Sequence, residues 1–365
     1  MKRLEVSSSC ALVAGVLVMT SIADRGHAQG CVVARGAGPC ATTPGGFTNH
    51  LDVKWQVALA YRWLNSDRHF VGDVEQKHRH VTGNQVINDS HFIDLGVSYS
   101  FTPRWGATVV LPYVHHDRTS WYEHTRTNRH RSSSRGLGDV RFALTGWVLD
   151  PAKMPSGNLQ FGIGFKAPTG DFAATDTFTT VNGPVVGSVD QSIQPGDGGW
   201  GLTLDFNGYQ TLGAGVYGFA QGSYLANPRD VNGTSTRSGT ARGNPFEQEM
   251  SVADSYLVRG GLGYAIPWVK GLVVTLAGRV EGVAVRDLIG DDNGFRRPGY
   301  AVSIEPGLNL MAGRWNFAVS APVLMYANRQ RSVADERFTE SSGVYRHGDA
   351  AFASFLISAS VARVF

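Results

Sequence analysis

LDVKWQVALAYRW, residues 51–63, decides the fold. Its odd positions read Leu51, Val53, Trp55, Val57, Leu59, Tyr61 and Trp63, and its even positions Asp52, Lys54, Gln56, Ala58, Ala60 and Arg62. A period of two sustained over this length is a strand with one apolar face and one small or polar face. Comparable segments recur at 91–102, 105–116, 136–149, 159–167, 199–211, 216–225, 255–266, 272–286, 299–311, 315–326 and 350–365. They predict an all-β fold, a transmembrane antiparallel up-and-down β-barrel of about twelve strands.

The connections alternate in length. Those at 102–104, 150–158, 212–215, 267–271 and 312–314 are short, while 64–90, 117–135, 168–198, 226–254, 287–298 and 327–349 are long and polar. Short periplasmic turns and long extracellular loops are expected of a bacterial barrel. A soluble antiparallel barrel would alternate too. Three features favour the membrane. The apolar faces carry no charge in strands such as the second, which shows Ile93, Leu95, Val97, Tyr99 and Phe101. Trp105, Trp268 and Trp315 stand beside short turns, where an interfacial aromatic belt falls. Phe365 closes a stretch with Phe355, Ile357, Ala359 and Val361 on one face, a terminal-strand pattern interrupted by Arg363.

The chain starts with Lys2 and Arg3, an apolar run over 10–22, and Gly26-His27-Ala28. This predicts a secretory signal peptide over 1–28, because the run is too short to span roughly 30 Å of hydrocarbon as a helix. Residues 29–50 are then a periplasmic leader and 51–365 the barrel, placed in the bacterial outer membrane. Cys31 and Cys40 remain as an even pair in an exported chain, so a Cys31–Cys40 disulfide is expected, with two free thiols as the other reading. A net charge of +3 excludes a nucleic-acid partner.

With the apolar face toward lipid, the other face lines the lumen. It carries Asp52, Lys54, Arg62, Asp94, Asp139, Arg141, Lys166, Asp205, Arg259, Arg279, Glu281 and Glu305, acidic and basic in equal number. Such a balance points to paired charges rather than to the one-signed field of an ion-selective porin. Asn207, Tyr209 and Asn309 share that face and offer hydrogen bonds along a narrow route. The loop 168–198 is long enough to fold inward as a constriction.

Histidines concentrate in the first two long loops: His69, His78, His80, His91, His115, His116, His124 and His130. A surface metal site from His78, His80, His115 and His116 is the weak candidate. Arg118, Arg126, Arg129, Arg131 and Arg135 oppose it and suit lipopolysaccharide phosphates instead. Gly213 to Gly218 spells a dinucleotide fingerprint but follows a strand with no helix after it. Asp89-Ser90-His91 has the residue types of a hydrolase relay, yet neighbours in a strand point to opposite faces. Asp291-Asp292-Asn293-Gly294 lacks the remaining ligands of a calcium loop and reads as a turn. No catalytic residue and no cofactor is expected.

Gly136-Leu137-Gly138-Asp139 at a strand start and Lys166-Ala167-Pro168-Thr169-Gly170-Asp171 at a strand exit resemble the MetA-pathway of phenol degradation family of outer-membrane proteins. The resemblance implies a barrel transporter associated with uptake of aromatic or other hydrophobic compounds, with Gly136, Gly138, Asp139, Lys166, Pro168, Thr169, Gly170 and Asp171 as its motif. The expectation is therefore a passive channel for small molecules, not an enzyme. Its partners would be outer-membrane lipid and lipopolysaccharide, a small-molecule cargo and the barrel assembly machinery. The alternatives are a surface or structural protein whose basic loops bind lipopolysaccharide or a partner and, further off, an outer-membrane hydrolase.

Overall fold

The computed structural model describes residues 54–236 and 243–365. Asp52, Cys31, Cys40 and the expected signal peptide and leader lie outside them. A closed 12-strand antiparallel barrel forms. Its strands are β1 (Trp55–Ser66), β2 (Ile87–Ser100), β3 (Trp105–Ser120), β4 (His130–Leu137 and Arg141–Trp147), β5 (Gly157–Lys166), β6 (Gly201–Gly213), β7 (Val216–Ala226), β8 (Ser255–Ala265), β9 (Leu272–Val283), β10 (Gly299–Ala312), β11 (Trp315–Ser320 and Val323–Arg329) and β12 (Leu356–Val364). Each pairs with its neighbours in sequence, and β1 closes the ring by pairing with β12, Gln56 opposite Val364. Closure removes both sheet edges, which hydrocarbon would leave without hydrogen-bond partners.

The polarity is that of a soluble protein turned inside out. Along β1 the side chains of Trp55, Val57, Leu59 and Tyr61 are exposed, while Ala58, Ala60, Arg62 and Leu64 are buried. The same alternation puts Leu159, Phe161, Ile163 and Phe165 of β5 outside and encloses Lys166. Trp105, Trp268 and Trp315 are all exposed at the turn end of the barrel. At the loop end Tyr224, Tyr256 and Tyr300 follow one another in register across β7, β8, β9 and β10, with Gly282 between the last two. A Cβ on Gly282 would stand 2.7 Å from the Tyr256 hydroxyl, so the glycine makes room for that ring. Two aromatic levels separated by aliphatic side chains are the expected lipid-facing surface. Arg363, outward near the turn end, lies over the rings of Trp315 and Phe365 at 5.1 and 4.7 Å. That placement accommodates the charge which interrupts the terminal-strand pattern.

Two wall strands are broken, and proline accounts for both. Pro112 of β3 directs its carbonyl to Gly138 N–H at 2.8 Å, so its missing N–H faces the break in β4. Pro306 of β10 accepts from Ala321 at 3.1 Å and likewise leaves β11 without a donor at its break. On the loop side the strands outrun the expected limits: β2 starts at Ile87, β3 ends at Ser120 and β4 begins at His130. The last expected strand is instead divided. Ala350–Phe352 leaves the wall to pair with Arg68–Val71, which joins the first and sixth loops over the mouth. His69 and Arg79 share the Asp349 carboxylate there, at 2.9 and 2.5 Å. The short helix α1 (His78–Thr82) lies in the first loop, and α2 (Val333–Ser342) in the sixth carries a capping box from Ser332 and Asp335.

Replacing Phe161 at mid-wall by Arg is expected to cost about 2–4 kcal/mol, whereas Trp268→Arg beside a turn costs about 0–1 kcal/mol, because lipid penalises charge by depth. Urea unfolding in lipid vesicles checks the ratio. Burial pushes the Asp335 carboxyl up, but Arg329 and the backbone N–H groups of Ser332 and Gly348 outweigh it and hold the group below its ordinary value. Its stabilisation is present above the ordinary carboxylate range and is lost as pH falls below it. Protection factors of the α2 amides, taken against the intrinsic exchange rate at each pH, are expected to fall on acidification below about pH 4.

Candidate functional site

Pairing register decides which side chains meet inside. Among the inward positions of β1, β2, β3 and β12, Leu64, Phe92, Val114 and Leu356 pack with Ala353 into one buried apolar cluster. The opposite side, from β7 to β10, carries charge. Arg259 Nη1 stands 2.6 Å from Glu305, and its Nε donates to Gln221 at 2.7 Å. Arg279 bridges Glu281 at 3.0 Å and Glu305 at 3.4 Å. These charges are enclosed and matched, so the side is polar without a net field. Below them Asn309 donates to Asn316 at 2.9 Å and Asn207 to Gln160 at 3.2 Å, while Tyr209 stands edge-on to Trp147.

The two sides are separated by chain that folds in from the third loop. Val189 and Ile193 are fully enclosed. Asp190 accepts from Arg297 at 2.7 Å and lies 3.5 Å from Arg118, which reach it from just before β10 and from β3, almost across the barrel from one another. Asp190 also caps Gln191–Ile193, accepting from the Ser192 N–H at 3.0 Å. Gln191 donates to the Ser251 carbonyl at 2.8 Å, and Ser134 donates to the Ile193 carbonyl. Cavities remain on either side of this partition. One, of about 50 Å³, runs from Arg62 and Asp94 to Gln194 and Asp197; the other, of about 90 Å³, lies between Gln191 and Ser255.

The two motif halves, distant in sequence, meet at the root of the partition. At the β4 break an extra residue fits between Leu137, opposite Tyr113, and Arg141, opposite Val110. This bulge directs Asp139 inward. Its carboxylate accepts from Gly170 N–H at 3.0 Å and Asp197 N–H at 3.1 Å, and lies 3.5 Å from Lys166, whose ammonium also pairs with Asp197. Thr169 Oγ1 donates to the Gly138 carbonyl and accepts from Val140 N–H, both at 2.9 Å. A Cβ at Gly170 would come within 2.8 Å of Gly196, so glycine lets the two loop ends cross. Gly136 and Pro168 flank these contacts, and Asp171 turns the chain by accepting from Ala173 N–H at 2.9 Å.

Of the other residues expected in the lumen, Arg62 and Asp94 lie 3.7 Å apart, and Arg141 and Asp205 stand on inward positions of β4 and β6. Lys54 is exposed just before β1 rather than enclosed. The four histidines are not brought together: His78 and His80 lie on α1, His115 points outward and His116 is buried in the lumen. Among the described residues no group of three His, Cys, Asp or Glu side chains is placed to hold a metal ion. Arg118 is buried against Glu123 and Asp190, so it is withdrawn from the basic surface expected of the second loop. Arg131, by contrast, is exposed 3.3 Å from Asp117. The sequence reading missed Asp190, Arg297 and Glu123. Only Asp190 carries a signal, a carboxylate among the glycines of a loop long enough to reach inward.

No protein family and no curated protein matches the sequence, so the motif resemblance rests on the residues quoted for it. Among solved structures the chain is similar to the COG4313 outer membrane channel from Pseudomonas putida F1, with a TM-score of 0.56 at 12% identity over 88% of this chain and 100% of that one. The beta domain of the Bordetella autotransporter BrkA aligns over 86% of this chain and 100% of its own, at 12% identity and a TM-score of 0.45. The first likeness places the fold among outer-membrane barrels.

Replacing Asp139 by Ala strips a buried lysine of one partner and two N–H groups of their acceptor. The loss expected is about 3–5 kcal/mol, measured as a lower urea midpoint, with the folded barrel still resistant to trypsin at its turns.

Proposed function

We propose that this protein is a passive channel of the bacterial outer membrane for small organic molecules that carry both an apolar and a polar part, aromatic compounds foremost. The observation that carries the reading is the two-sided lumen: an apolar cluster of Leu64, Phe92, Val114 and Leu356 faces a charge-paired wall of Arg259, Arg279, Glu281 and Glu305. A ring passing between them keeps contact on one side while its hydroxyl or acid group exchanges water for fixed dipoles on the other. The motif resemblance supports the same class of cargo, and the fold likeness to an outer-membrane channel is consistent with it. Export by the signal peptide over 1–28 and assembly by the barrel machinery belong to this reading. Catalysis does not, since the inward carboxylates are engaged by arginine or lysine or stand beside them.

The partition makes the channel narrow at rest, and Asp190 is its main anchor. Refolded protein in liposomes is expected to admit phenol-sized aromatics faster than sugars of similar mass; a barrel that passes no small solute contradicts the proposal. Replacing Asp190 by Asn keeps the shape but removes the charge shared by Arg118 and Arg297. Single-channel conductance is then expected to rise severalfold or to flicker between two levels.

A further inference from the structure

We infer that the turn end of the barrel is a docking surface for anionic phospholipid, whose phosphates are gathered by a rim of Lys54, Arg104, Lys153, Lys270, Arg314 and Arg363. All six residues are exposed, and none pairs with a carboxylate among the described residues. The acidic side chain described at this end is Asp150, and it is engaged by its own turn, accepting from Ala152 N–H at 3.0 Å. The loop end is built the other way. There Arg68 meets Glu75 at 2.8 Å, Arg79 meets Asp349 at 2.5 Å, Arg296 meets Asp287 at 2.6 Å and Arg346 meets Glu247 at 3.2 Å. Cations matched at one mouth and unmatched at the other give the turn end a one-signed field.

What stands beside the charges sets the partner. Each cation is next, or next but one, in sequence to an exposed aromatic or apolar residue: Trp55, Trp105, Met154, Val269, Trp315 and Phe365. An acidic soluble protein has no need of that pairing. At a membrane interface it has a plain reason, since tryptophan sits at headgroup level and a long basic side chain beside it reaches the phosphate. The rim is densest where the barrel closes. Arg314, Arg363 and Lys54 stand at the turn-side ends of β11, β12 and β1, which Val364 N–H to the Arg314 carbonyl at 3.1 Å and Phe365 N–H to the Trp55 carbonyl at 2.9 Å hold together. Three cations thus fall within two strand spacings, about 10 Å. The rings of Trp315 and Phe365 hold Arg363 without cancelling its charge. A second group lies at the β4–β5 turn. Arg104 donates to the Trp147 and Val148 carbonyls at 3.1 and 2.7 Å, which keeps its guanidinium at the root of the turn that carries Lys153. A headgroup with net negative charge completes both groups, whereas a zwitterionic one brings its own ammonium into the same field.

The inference rests on this end standing at a membrane interface and not on the passage of any solute, so a barrel that conducts nothing leaves it intact. Spin-labelled phosphatidylglycerol and phosphatidylcholine, added in turn to protein reconstituted in phosphatidylcholine vesicles, report the fraction of each lipid held at the protein surface. Phosphatidylglycerol is expected to associate about threefold or more strongly at low salt, and the difference to shrink toward unity in about 1 M sodium chloride, where the screening length is about 3 Å. Replacing Lys54, Arg314 and Arg363 together by Gln is expected to remove about half of the preference. Arg131→Gln with Arg135→Gln, on the loop side, is expected to leave it unchanged. Equal association of the two lipids with the unaltered protein at low salt overturns the inference whether or not the variants fold. So does a preference that survives loss of the three turn-end cations and disappears with the loop pair.

Discussion

Hydrocarbon accepts no hydrogen bonds, and the rest of the structure follows from that constraint. Each backbone donor and acceptor in the wall must find a partner in a neighbouring strand, so the sheet closes, β1 onto β12, and no edge remains. The same solvent takes the apolar side chains outward. What a soluble domain would use as its core, Leu59, Phe161, Leu204 and their neighbours, becomes the surface, and arginines and carboxylates fill the centre. An interior of this kind is held by charge pairing, and pairing in turn sets where space is left. Arg259, Arg279 and Glu305 bind each other and close their side; Arg62, weakly paired, borders a cavity.

The departures from a regular barrel have local causes. A proline in a wall strand is tolerated only where the neighbouring strand gives up a bond, and Pro112 and Pro306 each face such a break. The first of these breaks is put to use. Its bulge directs Asp139 to the crossing of Gly170 with Gly196, and from that anchor the third loop runs inward to Asp190. A single carboxylate thus ties a wall irregularity to the lumen partition, which explains why the two motif halves act as one unit although the intervening strand and turn hold them apart in sequence.

Much of this was legible in the chain. Period-two alternation in residues 51–63 and its repeats fixed strand number, order and outward face, because lipid reads only the outward side and reads it uniformly. The alternation did not give the strand breaks, since the side to which a proline turns its missing donor depends on pairing. Nor did it give the length of the strands: Ile87 to Asp89 pair with Asp117 to Thr119, where the outward side chains are no longer uniformly apolar and the pattern fades. The lumen was readable as a list of charges and not as a map. Arg62 and Arg259 look alike in sequence, and only the register places Glu305 against one of them. Lys54 falls outside the enclosed set because the strand starts one residue after it.

The central claim is that hydrocarbon touches one face of every wall strand while the other face belongs to an enclosed, divided lumen. Nitroxide labels placed singly at 159–165 of β5, in protein without Cys31 and Cys40 and reconstituted in lipid, test it most directly. Oxygen is expected to relax labels at 159, 161, 163 and 165, and a water-soluble nickel chelate to reach none of these, with both effects weak at the positions between. Uniform access of the nickel chelate along the segment, or oxygen access without the period of two, would contradict the account.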